Sequence, residues 1–295
     1  MKKIILSIIS FLLVLIFSSC TNDVLTENSE NDDYVSVKFY VSNISITQEK
    51  TRANTIQDAF PMLDLVLYTI NNDGTYTKYK ECSQTKSSSS FGVVTFNNVK
   101  CGTYKLVAIG HDDSSHPDMD DPTSIAFTKY PNLYGYTADV TITKTSTNIE
   151  VPFVHKTAKI IFDFNGFIPD DVEKIKFTFE GSSNVYNAIT GFANTTSSRV
   201  VTINVTKEHK DNKHITATSY AILTQDELTS ENSYYNIIIA GLDANEQEMN
   251  KKTYNKIPLK IGYTTTLSGV FFDYTNLSMS FSVISDWGTY GTVEL

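Results

Sequence analysis

Two stretches of the 295-residue sequence bring together side chains able to ligate a cation. His111, Asp112, Asp113, His116, Asp118, Asp120 and Asp121 lie close together. Carboxylates in that density suit a hard ion such as calcium, but the spacing of an EF-hand with its central glycine is absent. Asp residues without a fixed partner are ordinarily solvated, so the stretch reads as an acidic loop and no metal ligand is assigned. His209 and His214 flank residues 210–213, which read as a charged hairpin tip and not as a ligand pair.

Nucleophilic and phosphate-binding chemistry leaves no trace. The chain has no Gly-x-Ser-x-Gly elbow, His-Glu-x-x-His helix, phosphate-cradling glycine loop or Cys-x-x-Cys pair. A glycosidase pair is recognised by the separation of two carboxylates in space, and among 33 Asp and Glu none stands out. The 17 Tyr and 17 Phe could stack on sugars, yet aromatic residues are favoured on strands because they pack well on a pleated surface. The expectation is therefore a protein that is not an enzyme and needs no cofactor.

The cysteines carry more information. Cys20 follows Phe17-Ser18-Ser19, and before these come Lys2, Lys3 and a run over 4–17 that is apolar except for Ser7 and Ser10. Such a run falls short of the roughly 20 apolar residues of a membrane span and has the layout of a signal peptide over residues 1–19. A cysteine behind two small residues resembles the lipobox of bacterial lipoproteins, which implies acylation of Cys20. Cys82 and Cys101 are separated by 18 residues. In an exported chain they either form a disulfide or remain two buried thiols on adjacent strands.

Cleavage would take Lys2 and Lys3 away, so the net charge of −9 becomes −11. That balance excludes nucleic-acid phosphate as a partner, since backbone binding needs clustered Lys and Arg. Residues 20–33 hold Asp23, Glu27, Glu30, Asp32 and Asp33 with almost nothing apolar, and read as a solvated tether. An acidic stretch behind an acylated cysteine resembles the surface-export signal of Bacteroidota lipoproteins, which implies the outer face of the outer membrane.

From Tyr34 onward the period is two. Val35, Val37, Phe39 and Val41 alternate with polar residues, and similar runs recur at 63–70, 75–82, 93–96, 104–109 and 138–142. A second series lies at 149–154, 158–164, 174–179, 200–205, 215–223, 234–240, 263–272 and 277–283. Asn71-Asn72-Asp73-Gly74 is a strong hairpin signal. Many short strands with turn residues between them predict an all-β chain of antiparallel sandwiches. A polar break at 144–148 divides it into an N-terminal domain, 34–148, and a C-terminal domain, 149–295.

Several motifs carry a likeness. Leu63-Asp64-Leu65-Val66-Leu67-Tyr68, the Asn72-Asp73-Gly74 turn, and Phe96-Asn97-Asn98-Val99-Lys100-Cys101-Gly102-Thr103-Tyr104-Lys105-Leu106 come first. Val151-Pro152-Phe153-Val154-His155-Lys156-Thr157-Ala158-Lys159-Ile160, Ile257-Pro258-Leu259-Lys260, Tyr263-Thr264-Thr265-Thr266-Leu267-Ser268-Gly269 and Asp286-Trp287 follow. In this order, behind the lipobox, they resemble the fimbrillin family of Bacteroidota, the pilus subunits and their lipoprotein anchors. The resemblance implies two transthyretin-like β-sandwich domains in tandem, in a subunit whose first strand is removed by an arginine-specific protease. A neighbouring subunit then supplies a replacement strand. The chain has two arginines, Arg52 and Arg199, and Arg52-Ala53 falls where that cleavage is expected.

Leu277, Met279, Phe281 and Val283 repeat the spacing of Val35, Val37, Phe39 and Val41. Alternation by itself makes both segments permanent strands. The position of Arg52 and the resemblance instead make the first the displaced strand and the second the donor strand. The expected protein is a structural subunit of a cell-surface fimbria that mediates adhesion, with other fimbrial subunits, the protease and, through its lipid, the outer membrane as partners. The alternatives are an uncleaved lipid-anchored anchor subunit and a surface glycan-binding lipoprotein.

Overall fold

The computed structural model describes residues 33–42, 56–146, 148–224, 233–270, 272, 279–285 and 288–294. Cys20, Arg52, Ala53 and Leu277 lie outside them. The regular structure of the described residues is nearly all strand, as the period-two pattern predicts.

The first half contains β1 Tyr34–Ser42, the short helix α1 Ile56–Ala59, β2 Met62–Ile70, β3 Tyr76–Thr85, β4 Val93–Lys100 and β5 Gly102–His111. It continues with β6 Ile125–Ala126, β7 Leu133–Ile142, β8 Asn148–Pro152 and β9 Val154–His155. These strands make a three-stranded sheet, β4-β1-β8, and a five-stranded sheet, β3-β2-β5-β7-β9. Val37, Phe39, Val94 and Phe96 from the smaller sheet and Leu63, Leu65, Leu67, Leu106 and Ala108 from the larger share one buried core. The opposite face of β2 is also covered, so Val66 and Tyr68 are buried as well, which accounts for its nearly unbroken apolar run. The predicted turn after β2 is present: Gly74 takes a φ of 81°, and its amide donates to the Asn71 carbonyl at 3.0 Å.

The second half contains β10 Ala158–Asn165, β11 Lys174–Ser182, β12 Val185–Tyr186, β13 Ser197–Asn204, helix α2 Lys207–Asn212 and β14 His214–Ala221. It ends with β15 Ser233–Leu242, β16 Glu248–Leu259, β17 Tyr263–Val270, β18 Met279–Ser285 and β19 Gly288–Glu294. The sheets are β14-β10-β17-β18-β19 and β13-β11-β15-β16. Ile160, Phe162 and Phe164 face Ile175, Phe177, Phe179, Ile237 and Ile239 in a second core, with Phe162 and Phe177 stacked at 4.1 Å. Phe39, Phe96, Phe162, Phe177 and Phe179 fill these interiors, whereas Tyr34 and Phe167 stay exposed.

A third cluster joins the halves. Val66, Tyr68, Val107 and Ile109 from the outer face of the first large sheet meet Met119, Ile125 and Phe127, together with Tyr186, Ala188, Ala193 and Ile222. Strands β6 and β12 pair across this join, and the Asn184 amide group donates to the Phe127 carbonyl at 2.9 Å.

Four details go beyond what the local sequence pattern could give. Strand β8 pairs with β1 and β9 pairs with β7, so residues 148–155 pair with strands of the first half and not with those that follow. The sheets are not wholly antiparallel, because β1–β8 and β10–β17 run parallel. The segment 207–212 is a helix, and β13 and β14 lie in different sheets, so no hairpin tip forms there. Cys101 has a free thiol, so it is not bridged to Cys82. Register explains this: Cys82 and Ala108 both flank Leu65, whereas Cys101 precedes β5, seven residues back from Ala108, about 23 Å along the strand direction.

Candidate functional site

Strand β1 occupies a slot. It is antiparallel to β4, with Val37 opposite Phe96 and Phe39 opposite Val94, and parallel to β8, with Val41 beside Val151. Its neighbours β4 and β8 have no other partner in that sheet among the described strands. At its ends the Val41 amide donates to the Gly92 carbonyl at 2.9 Å, and the Ser42 and Asp33 carbonyls accept from Phe153 and Cys101. Val37 and Phe39 are fully buried and Val41 is 7% exposed. Phe39 meets Phe96 edge to face at 5.7 Å. Burying these three side chains contributes roughly 5–9 kcal/mol before conformational entropy is subtracted, comparable to the whole stability of many domains.

The expected donor positions 279, 281 and 283 lie on β18. In the single chain this segment is hydrogen-bonded to its own β17, with Phe281 opposite Leu267 and Val283 opposite Thr265. Its other edge pairs with β19, the last strand of the sheet. A donor role therefore requires β18 to exchange one set of partners for another, next to the sheet's own edge.

Arg199 is 8% exposed in β13, opposite Phe179. Its guanidinium donates to the Tyr220 carbonyl and lies 3.9 Å from the centre of the Tyr130 ring. Burial pushes its pKa down to about 10. A protease needs an extended, accessible segment, so Arg199 is a poor substrate in the folded chain.

The metal-ligand stretch is less solvated than its composition implies. His111 is the last residue of β5 and fully buried, and Asp113 is 3% exposed. The Asp113 carboxylate accepts from the Ser114 and Thr128 amides at 2.7 and 2.6 Å and from the Thr128 hydroxyl. The sequence reading missed Asp64, which lies under this loop on β2, fully buried. Its Oδ2 lies 2.9 Å from His111 Nε2, and its Oδ1 lies 2.8 Å from His116 Nδ1 and accepts from Ser83 at 2.5 Å. The His116 Nδ1 contact is close but not well aligned for a hydrogen bond. Burial alone would raise the Asp64 carboxyl, but the two imidazoles outweigh it and hold the pKa below the usual range. A lone Asp in the run Leu63-Asp64-Leu65-Val66-Leu67 was the available signal, because a charge in a strand buried on both faces needs partners.

His209 and His214 do not meet as a pair. His209 closes a capping box with Thr206 at the start of α2, and His214 Nε2 lies 2.6 Å from Asp163 Oδ1.

Just past β8, the His155 ring lies tilted against Tyr134 with centroids 4.1 Å apart, and burial pushes its pKa down to about 4. Protons therefore favour the unfolded chain, whose His titrates near 6.5. This one group should cost the protein about 3 kcal/mol as the pH falls from 6.5 to 4, its own contribution levelling off below. Urea unfolding across this range should show a shallower loss in His155→Gln than in the wild type.

The fold has known relatives in structure. A candidate adhesin from Bacteroides ovatus aligns with a TM-score of 0.53 at 12% identity, over 89% of this chain and 96% of that one. A second candidate adhesin from the same species aligns with a TM-score of 0.51 at 15% identity, over 79% and 88%. The fimbrial anchor protein Mfa2 from Porphyromonas gingivalis aligns with a TM-score of 0.47 at 9% identity, over 87% and 100%. No protein-family model matches the sequence, and neither does any curated protein. At these identities the likeness establishes the fold: this chain has the all-β fold of crystallised Bacteroides candidate adhesins.

Proposed function

We propose that the protein is a structural subunit of a cell-surface fimbria that mediates adhesion and polymerises by strand exchange. One observation carries the reading. Strand β1, with three buried apolar side chains, is the sole link between β4 and β8 among the described strands, and the stretch that follows it in sequence, 43–55, contains Arg52. A cut after Arg52 separates β1 from the rest of the chain and leaves two facing edges with unsatisfied main-chain groups. Strand addition to such edges takes affinity from the main chain and selectivity from alternate side-chain pockets.

In this reading Cys20 is acylated and carries the chain to the outer membrane surface, and an arginine-specific protease cuts between Arg52 and Ala53. The segment Leu277, Met279, Phe281 and Val283 of another subunit then enters the slot, running in the direction of β1. Relatives in structure that are named as adhesins and as a fimbrial anchor support a surface role. An anchor subunit would differ by keeping its lipid and its first strand.

The test is limited digestion with an arginine-specific protease. The wild type should be cut once and Arg52→Ala not at all, while Arg199→Lys should be cut like the wild type. Cleavage at Arg199 in the folded protein, or cleavage of the Arg52→Ala protein, would refute the processing step.

A further inference from the structure

We propose that Asp64, His111 and His116 form a site for one divalent transition-metal ion of the zinc class, which pins the 112–124 loop to the first large sheet. The three side chains come from separate places: β2, the end of β5, and the loop. One ligand atom from each lies within 4.8 Å of the others. Ligand atoms around a tetrahedral ion at about 2.0–2.1 Å are themselves separated by about 3.3 Å. The present contacts of 2.9 and 2.8 Å, made to the two different oxygens of Asp64, need to open by a few tenths of an ångström, and a pair as wide as 4.8 Å has to close by about 1.5 Å.

Two imidazoles and one carboxylate select zinc-class ions over calcium, which takes oxygen ligands. Asp64 and His111 are fully buried while the His116 side chain is 30% exposed. The fourth position therefore faces solvent, which gives both an entry path and room for a water ligand. The surroundings are negative. Tyr68, on the same face of β2 as Asp64, lies in the field of Glu81, Asp118, Asp120 and Asp121. Lys78 is shared between Glu81 and Asp120 at 2.8 and 2.5 Å.

Binding has an identifiable cost. The Asp113 amide points at His111 Nδ1 across 3.2 Å, which keeps the His111 proton on Nε2. Coordination through Nε2 shifts that proton to Nδ1 and gives up the long amide contact, and any proton on His116 Nδ1 passes to solvent. The gain falls on the join between the halves, because the same loop delivers Met119 to the third cluster.

The test uses the full mature chain stripped with a chelator, then titrated with Zn2+ and, separately, Co2+. Zinc at about 100 times its dissociation constant should raise Tm by about 5 °C, and cobalt should give the intense visible band of four-coordinate Co2+. Both should vanish in His116→Ala, which leaves the buried Asp64–His111 bond in place. No Tm shift, a cobalt spectrum like that of the hydrated ion, or binding by His116→Ala equal to the wild type would each overturn the proposal. The last would place the ion elsewhere on the chain.

Discussion

A chain starting at Ala53 should self-associate, whereas the chain starting at Cys20 should remain monomeric. Without β1, strands β4 and β8 lose their one common partner among the described strands, and the inner faces of Val94, Phe96 and Val151 lose the cover of Val37, Phe39 and Val41. The lost burial is roughly 5–9 kcal/mol, enough to leave a domain marginal, and an unpaired edge is adhesive until filled. Size-exclusion chromatography should show a series of oligomers. Excess synthetic peptide with the sequence of residues 34–42 should return them to monomer. A stable monomer starting at Ala53, unaffected by the peptide, would show that β1 is dispensable and that its slot does not recruit a strand.

Phe281→Asp should permit cleavage yet stop growth. In the filled slot, position 281 takes the place of Phe39 against Phe96, where an unpaired carboxylate costs several kcal/mol. A penalty of about 4 kcal/mol lowers an association constant roughly a thousandfold. In the single chain the same residue pairs with Leu267, so the uncleaved variant's circular dichroism and Tm must first show a folded monomer. Growth of the folded, cleaved variant at the wild-type rate would remove β18 as the donor.

Legibility followed burial. Strands with one wet face, such as β1 and β10, show clean alternation, and β2 is marked by its apolar run. Strand β16 escaped because Glu248–Leu259 is an edge strand, exposed or half-buried until Ile257 and Leu259. Its Lys and Asn residues hide any period. The two-residue strands β6 and β12 exist only because distant segments meet, which no local pattern encodes. The same holds for the Asp64 cluster: His111 and His116 are near neighbours in sequence, but Asp64 lies 47 residues before His111. The Cys82–Cys101 bridge failed on register, since spacing in sequence does not reveal that the chain crosses from one sheet to the other at Cys101. The slot around β1 was legible as alternation, but its parallel pairing with β8 was not.

The central claim is that the working subunit has lost its first strand. The direct measurement is the N-terminal residue of the chain in polymers taken from the surface of the native host. The account predicts Ala53, with residues 20–52 absent from the polymer. Polymerised chains that still begin at an acylated Cys20 would contradict it.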